Sequence, residues 1–171
     1  DSPVRGVEPA ANVAEVAQDK GIETKVAFFG SRTAGDLSAR DLQADLLIGN
    51  NVLAHVPDIN DFVQGLKMIL KPQGIITMEF PHVMRLIEEN QFDTIYHEHF
   101  SYFSMHAVKQ IFEAHGLTIF NVEEIPTHGG SLRIYARHLE GKDLDERNRV
   151  QELIAKEKRA GLLDLERYSS F

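Results

Sequence analysis

The sequence contains no cysteine. This absence excludes a disulfide framework, a thiolate nucleophile and any cysteine-ligated metal within these residues, although it does not assign a compartment. Basic residues are also scarce, with 18 Lys and Arg against 26 Asp and Glu and a net charge of -8. Nucleic-acid surfaces need clustered cations to neutralise phosphates, and anionic membranes attract basic segments. We therefore expect neither a nucleic acid nor a membrane as a partner.

Long apolar runs are missing as well. No stretch approaches the roughly 18 to 20 apolar residues that a membrane-spanning helix needs, and residues 1–5 show no signal-peptide pattern. These features predict a soluble protein, compatible with the cytoplasm. The 171 residues, of which 43% are hydrophobic, are enough to bury one sizeable core.

Strand and helix patterns alternate along the chain, which predicts an α/β doubly wound sheet. Strands are predicted at residues 4–9, 25–29, 44–51, 74–80, 117–124 and 131–138, and helices at 10–20, 58–70 and 105–115. The run at 44–51 is nearly continuous in apolar residues, which is typical of a strand buried on both faces. Residues 30–35 are predicted as loop, and residues 143–168 as a charged helical segment. Its sparse apolar face consists of Val150, Leu153, Ile154, Leu162 and Leu165.

Polar residues lie at the carboxyl ends of several of these strands. Ligands of open α/β sheets bind at the carboxyl ends of the strands, so Glu8, Phe29, Asn50, Asn51 and Glu79 are expected to converge on one crevice. An acidic residue at a strand end commonly accepts hydrogen bonds from a cofactor ribose. Taken by position alone, Glu8 fits an ordinary exposed glutamate better, and Phe29 fits a core residue better than an adenine partner.

Residues 50–81 resemble the central part of class I S-adenosylmethionine-dependent methyltransferases. The turn Leu70-Lys71-Pro72-Gln73-Gly74 is typical of them, and it predicts a helix stop at the proline and a left-handed glycine. Tyr96-His97-Glu98-His99, the following Phe100 to Ser104, and His128-Gly129-Gly130-Ser131-Leu132-Arg133 resemble the sugar C-methyltransferases that act on nucleotide-linked 4-keto-deoxysugars. The resemblance extends from Glu8 to about His138.

The resemblance implies a Rossmann-like class I methyltransferase sheet, truncated before its first strand and glycine-rich loop. It implies a partial S-adenosylmethionine-binding domain at residues 1–139, and a helical connector at 140–171 to a C-terminal domain that is missing here. Zinc is expected only in an N-terminal domain, also missing. The implied cofactor is S-adenosylmethionine, the implied partner is a nucleotide-sugar substrate, and the oligomeric state is left open.

The resemblance also assigns roles to residues. Methylation at carbon needs a base to remove a proton beside a ketone and a donor to stabilise the enolate oxygen. The implied catalytic group is Tyr96, Glu98, His99 and His55. His99 is the base, and Glu98 orients or electrostatically supports its imidazolium. Tyr96 hydrogen-bonds the substrate or shares in proton transfer, and His55 donates to the ketone oxygen. Which of Tyr96 and His99 is the base stays open, and His55 fits a helix or loop cap equally.

The remaining implied contacts are with the two ligands. The cofactor contacts are assigned to Glu8, Pro9, Phe29 and Asn50, and the substrate contacts to Asn51, Ser131 and Arg133. On structural grounds alone, Gly129 and Gly130 indicate a turn with positive φ, and Arg133 is an ordinary solvated strand residue.

Other functions fit parts of the same sequence. The histidine-rich stretch His97, His99 and His106 is compatible with metal binding, but its spacing repeats no zinc signature, so no metal is assigned. The same fold also serves oxygen and nitrogen methylation, and an excised domain with a non-catalytic role is a further alternative.

Overall fold

A computed structural model describes residues 3–140 and 148–169. The strands are β1 Arg5–Glu8, β2 Glu23–Val26, β3 Ala44–Asn50, β4 Leu70–Pro81, β5 Leu117–Ile125 and β6 Ser131–His138. The helices are α1 Ala11–Asp19, α2 Ser31–Ser38, α3 Ile59–Ile69, α4 Val83–Glu88, α5 Met105–Ala114, α6 Asn148–Arg159 and α7 Leu165–Ser169. Every strand and helix predicted before residue 140 is present, with ends shifted by up to a few residues. The predicted loop at 30–35 is wrong, because α2 begins there.

The strands form two hydrogen-bonded groups. β1 pairs with β2 in parallel, and β3, β4, β6 and β5 form a four-stranded sheet in that order. β3 and β4 are parallel, whereas β6 runs antiparallel to both β4 and β5. The link between β5 and β6 is only residues 126–130, too short for the crossover that a parallel pair requires. The predicted α/β class is confirmed, with an antiparallel strand that the alternating pattern did not predict.

The main core lies between the four-stranded sheet and helices α3, α5 and α6. Phe80, Ile134, Phe112 and Val150 are each at most 1% exposed, and all belong to one hydrophobic cluster. α3 starts at the predicted cap, where the Asp58 side chain accepts a hydrogen bond from the helix's third backbone amide. Among the described residues, no helix is long and apolar enough to span a bilayer.

β3 corrects the expectation of a strand buried on both faces. Leu47 packs against the core, but Leu46 and Ile48 on the opposite face are 53% and 66% exposed. β3 pairs only with β4 among the described strands, so its other edge has no described strand partner. β1 and β3 nevertheless both reach one small cluster on α2, because Val7 of β1 and Leu47 pack against the same apolar residues.

The turn after α3 also differs from its prediction. The helix does stop before Lys71-Pro72, but the chain continues straight into β4, and Gly74 has no positive φ. A Cβ at Gly74 would lie 2.9 Å from the Ala44 carbonyl oxygen and 2.6 Å from Leu70 Cδ1. The glycine is therefore explained by the close approach of β3 and β4 and not by a left-handed turn.

The C-terminal segment is helical where the structure describes it. Residues 141–147, at the start of the predicted helical segment, lie outside the described residues. Val150, Leu153 and Leu162 supply the buried face, as predicted. Leu165 does not, because it is 84% exposed.

Candidate active site at the carboxyl edge of the sheet

The polar ends of β3 and β4 meet at one edge of the sheet. The backbone amide of Asn51 donates to the Glu79 carbonyl at 2.9 Å, and Asn51 adopts a left-handed backbone with φ of 54°. This geometry turns the chain out of β3 directly beside the end of β4. The Oδ1 atom of Asn51 is buried and accepts no hydrogen bond from any described residue. Asn50, one residue earlier, is exposed.

The end of β1 carries the carboxylate that was predicted there. Glu8 Oε1 accepts a hydrogen bond from the Ala10 amide at 2.8 Å, and Pro9 between them is exposed. This bond fixes the side chain at the start of α1. Phe29 is arranged differently from the other predicted cofactor contacts, because its ring packs edge-on against Phe62 with centroids 5.3 Å apart. The ring belongs to the core, which agrees with the reading from position alone.

Tyr96 and His99 form a hydrogen-bonded pair in the loop before α5. His99 Nδ1 lies 2.8 Å from the Thr94 carbonyl oxygen, which can only accept, so this nitrogen carries a proton. In the neutral ring, Nε2 is then the acceptor. The Tyr96 hydroxyl lies 3.0 Å from Nε2 and donates to it. The Nε2 lone pair of His99 therefore accepts the hydrogen bond from the Tyr96 hydroxyl.

His55 lies against this pair. It ends the short 3-10 helix Leu53–His55, and its ring centroid is 4.8 Å from that of His99. Its Nδ1 lies 3.0 Å from the Glu98 carbonyl oxygen, so this nitrogen also carries the proton and donates. Nε2 of His55 is consequently a donor only when the ring is an imidazolium. The cap of the next helix is Asp58, not His55.

The Glu98 side chain does not support the imidazole as predicted. Both nitrogens of His99 are engaged by Thr94 and Tyr96, and the Glu98 carboxylate is exposed. It is the backbone carbonyl of Glu98, not its carboxylate, that contacts a histidine of the site. The group that orients His99 is the Thr94 carbonyl, and a backbone carbonyl leaves no signal in the sequence.

Ser131 and Arg133, the predicted substrate contacts, are both engaged within the protein. Ser131 is 2% exposed, and its hydroxyl donates to the Thr127 carbonyl at 2.9 Å, which closes the turn before β6. Arg133 is bound to Glu79 through two guanidinium nitrogens, and it lies 3.8 Å from Glu123. The hydrogen bond to Glu79 raises the pKa of the Arg133 guanidinium. Ser131 therefore shapes the loop, and Arg133 has its charge balanced by two carboxylates.

The turn ahead of β6 has the predicted positive φ at Gly129 and Gly130, 75° and 112°. His128 is left-handed too, at 51°, which was not predicted. A Cβ on Gly129 would lie 2.6 Å from Gln91, and one on Gly130 would lie 2.8 Å from Arg85. The turn consequently packs closely on α4 and on the chain that leads to Tyr96.

Two cavities lie near these elements. One of about 10 Å³ is bordered by His99, Thr94, Ala54, Pro81, Ser101 and Tyr102. The other, of about 660 Å³, lies between β5 and α6, and none of the predicted site residues lines it. No group of three or more potential metal ligands occurs in residues 3–140 and 148–169.

Comparison with known families assigns the chain to a family. Residues 2–122 match the family described as methyltransferase domain, which covers more than half of the chain. The chain belongs to this methyltransferase family. Residues 126–171 match a second family, described as C-methyltransferase C-terminal domain.

A relative of this methyltransferase chain supports the family assignment. It is 39% identical over 168 residues to the C-methyltransferase NovU of Streptomyces niveus, an alignment that covers 98% of this chain and 40% of the relative. The chain thus spans about 40% of that relative's length. The loop that carries Tyr96 and His99 lies in the first matched region, and Ser131 and Arg133 lie in the second.

Solved methyltransferase structures share the fold. A SAM-dependent methyltransferase from Anabaena variabilis superposes with a TM-score of 0.61 at 12% identity, covering 79% of this chain and 68% of that chain. Magnesium protoporphyrin IX methyltransferase from Synechocystis, solved with bound SAH, gives 0.57 at 12% identity, covering 79% and 64%. At such identities the likeness establishes a Rossmann-like methyltransferase fold.

Proposed function

We propose that a protein containing this chain is an S-adenosylmethionine-dependent C-methyltransferase that acts on a nucleotide-linked keto-deoxysugar through an enolate. The observation that carries the proposal is the pair formed by Tyr96 and His99, in which the Thr94 carbonyl fixes the tautomer of the imidazole. Oxygen and nitrogen acceptors carry lone pairs of their own and need a weaker base. A preorganised base beside a second histidine suits the harder removal of a proton from carbon.

The residues at the sheet edge fit the proposed cofactor. Glu8 Oε1 accepts a hydrogen bond from one backbone amide. A carboxylate at the end of a strand commonly accepts hydrogen bonds from ribose hydroxyls. The buried Oδ1 of Asn51, which is a predicted substrate contact beside the cofactor residues, is an acceptor that still requires a donor. Asn50 and Pro9 are exposed at the same ends of their strands. When bound, S-adenosylmethionine supplies a sulfonium methyl group for transfer to a carbanion-like carbon.

The base operates through the hydrogen bond already present. The phenol oxygen of Tyr96 takes the proton from the carbon beside the ketone, while its own proton moves along the 3.0 Å hydrogen bond to His99 Nε2. The electron pair of the broken C–H bond forms the enolate. The resulting imidazolium keeps its Nδ1 proton on the Thr94 carbonyl, so the ring does not need to turn. In this scheme Tyr96 contacts the substrate and His99 stores the proton.

His55 is the proposed donor to the enolate oxygen. Because its Nδ1 proton is used by the Glu98 carbonyl, its Nε2 donates only from the imidazolium. His99 has to begin neutral to accept the proton, and the negative charge on the enolate offsets the second positive charge that His99 then carries, with its ring centroid 4.8 Å from that of His55. The active form therefore has one charged and one neutral ring.

Cofactor binding is proposed to need a strand and a glycine-rich loop beyond the described residues. The edge of β3 that has no described strand partner supports a further strand there, and its exposed face at Leu46 and Ile48 leaves room for a covering segment. Isothermal titration of S-adenosylhomocysteine into this chain and into the full-length protein tests the point. Binding by the longer protein alone is expected. If neither protein binds, the cofactor assignment fails and a non-catalytic domain becomes the better account.

Substitutions in the full-length protein test the chemistry. His99→Asn keeps a donor for the Thr94 carbonyl but removes the Nε2 acceptor, and we expect kcat to fall about 100-fold or more. Tyr96→Phe is expected to act similarly. His115→Asn is the matched control. His115 lies just before the start of β5, at the end of the sheet opposite to the site, and it donates to the Ile111 carbonyl. C-methylated product, identified by NMR from a nucleotide-linked 4-keto-deoxysugar, is the readout. Methyl transfer to oxygen or nitrogen instead would refute the proposed reaction.

A further inference from the structure

Glu157 on α6 is fully buried together with its partner His82, far from any solvent. Its Oε1 accepts from His82 Nε2 at 2.7 Å and from the Met105 amide at 2.5 Å, and its Oε2 accepts from the His106 amide at 2.9 Å. Burying a carboxylate is costly unless donors satisfy it. Three donors from two distant segments do so here, which makes Glu157 a cross-link between α6 and the rest of the fold.

Two of the three donors are the first amides of α5. Met105 and His106 open this helix, and the Ser104 hydroxyl accepts from the next amide, that of Ala107. A helix N-terminus favours a negative charge because its first amides have no partner within the helix. Both Glu157 oxygens face backbone N–H groups, so a glutamine in either orientation would turn its own N–H group toward one of them. A carboxylate is therefore required, and an isosteric amide does not replace it.

The start of α5, which Glu157 binds, is the continuation of the loop that carries Tyr96 and His99. Five residues after His99 the chain reaches Ser104 and the start of α5. On the way, the Phe103 carbonyl accepts from the Val83 amide at 3.0 Å, one residue after His82. At the loop's other side, the Ala54 carbonyl accepts from the Phe100 amide at 2.9 Å, next to His55. Glu157 thus fixes both chain segments that carry the loop's C-terminal end.

We propose that Glu157 is a positioning residue for the Tyr96 and His99 pair, so that α6 takes part in catalysis without touching substrate. The inference rests on the proposed function for its kinetic readout. Loosening the start of α5 shifts the loop relative to Ala54 and His55, and with it the phenol that receives the proton. The edge that carries Glu8 lies on another strand pair and is not held by this cross-link. Loss of Glu157 is therefore expected to lower kcat and to leave cofactor affinity unchanged.

The test compares Glu157→Gln with Glu152→Gln in the full-length protein, below the melting temperatures of both. Glu152 lies on the same helix and is exposed. We expect Glu157→Gln to lower kcat about 10- to 100-fold, as misplacement by about 1 Å does, with the Kd of S-adenosylhomocysteine within about twofold of wild type. A purely structural role would lower the melting temperature and leave kcat intact below it. Wild-type kcat in Glu157→Gln would overturn the inference.

A second pair of variants serves if Glu157→Gln does not fold. His82→Phe removes the donor to Glu157, while His82→Gln restores an N–H group and loses nothing at Nδ1, which contacts no described partner. We expect the phenylalanine variant to lose kcat and the glutamine variant to recover most of it; equal kcat in both would overturn the inference. Amide hydrogen exchange at Phe100 and Ser101 gives a readout without substrate. If wild type methylates nothing, the proposed function fails, while faster exchange in Glu157→Gln still supports the positioning role and unchanged exchange refutes it.

Discussion

Two helical glycines are expected to respond to alanine with opposite signs. Gly65 lies in α3 and Gly35 in α2, and both are interior helix positions. Alanine is preferred over glycine inside a helix by about 0.8 to 1 kcal/mol, so propensity alone predicts that both substitutions stabilise. The space around each position reverses this for one of them.

The magnitudes follow from what a new methyl group would contact. At Gly65 a Cβ would lie 2.7 Å from the carbonyl carbon of Gly30 and 2.8 Å from its oxygen, and backbone cannot move aside as a flexible side chain can. Overpacking of this kind costs about 1 to 3 kcal/mol, and after the helix-propensity gain of about 1 kcal/mol is subtracted, Gly65→Ala is destabilised by up to about 2 kcal/mol. At Gly35 the nearest atom is Met68 Cε at 3.6 Å, an ordinary contact, so Gly35→Ala gains about 0.5 to 1 kcal/mol.

Urea unfolding followed by far-UV circular dichroism measures both free energies against wild type. A common m-value for the three proteins ensures that the shifts in midpoint report stability. Stabilisation of Gly65→Ala to the same extent as Gly35→Ala would refute the close packing of α2 on α3. The position of α2, and of the β1 carboxylate that it helps to support through Val7, would then need revision.

Three further substitutions test the fold. Asp58→Ala removes the cap that accepts from the Asp61 amide and is expected to cost about 1 kcal/mol in the free energy of unfolding; no change in urea midpoint would contradict the cap. Phe112→Ala empties a fully buried site and is expected to cost about 3 to 5 kcal/mol, measured in the same way. Burial alone would raise the pKa of Glu124, but the hydrogen bond and charge of Lys156 lower it overall. A lowered pKa stabilises the fold above the ordinary value of 4.5, and this stabilisation is lost as pH falls through the folded value. Glu124→Gln should therefore destabilise by less than about 1 kcal/mol at pH 7 and by progressively less at acid pH. An equal loss at pH 7 and at acid pH would contradict this assignment.

Local patterns were sufficient to predict most of the fold. Asp58 and Pro72 bracket α3, and the alternating residues of 131–138 predict β6 to the residue. The helix at 31–38 was missed because its start is stabilised from elsewhere: the Ser31 amide and hydroxyl both donate to Asp61 of α3. A cap that lies thirty residues away leaves no local signal. The exposure of Ile48 was missed for a similar reason, because the local sequence of a strand does not determine which elements cover its two faces.

The candidate site likewise contains residues that the sequence predicted and residues that it could not predict. Side-chain chemistry and family motif predicted Tyr96 and His99, and the structure brings these two into contact. The roles of Thr94 and Glu157 could not be predicted. Thr94 acts through a carbonyl that every residue possesses, and Glu157 is a single glutamate in a charged helix, 75 residues from His82. Only the folded chain distinguishes this buried carboxylate from its exposed neighbours.

Proton removal from carbon is the step that separates the proposed enzyme from oxygen and nitrogen methyltransferases of this fold. It is measured directly in D₂O, with the full-length protein, a nucleotide-linked 4-keto-deoxysugar and S-adenosylhomocysteine in place of the methyl donor. NMR follows the exchange of the hydrogen beside the ketone. We expect exchange catalysed by wild type and by His115→Asn, and loss of exchange in His99→Asn and Tyr96→Phe. Exchange that is as fast in both loop variants as in wild type would contradict the assignment of this pair as the base.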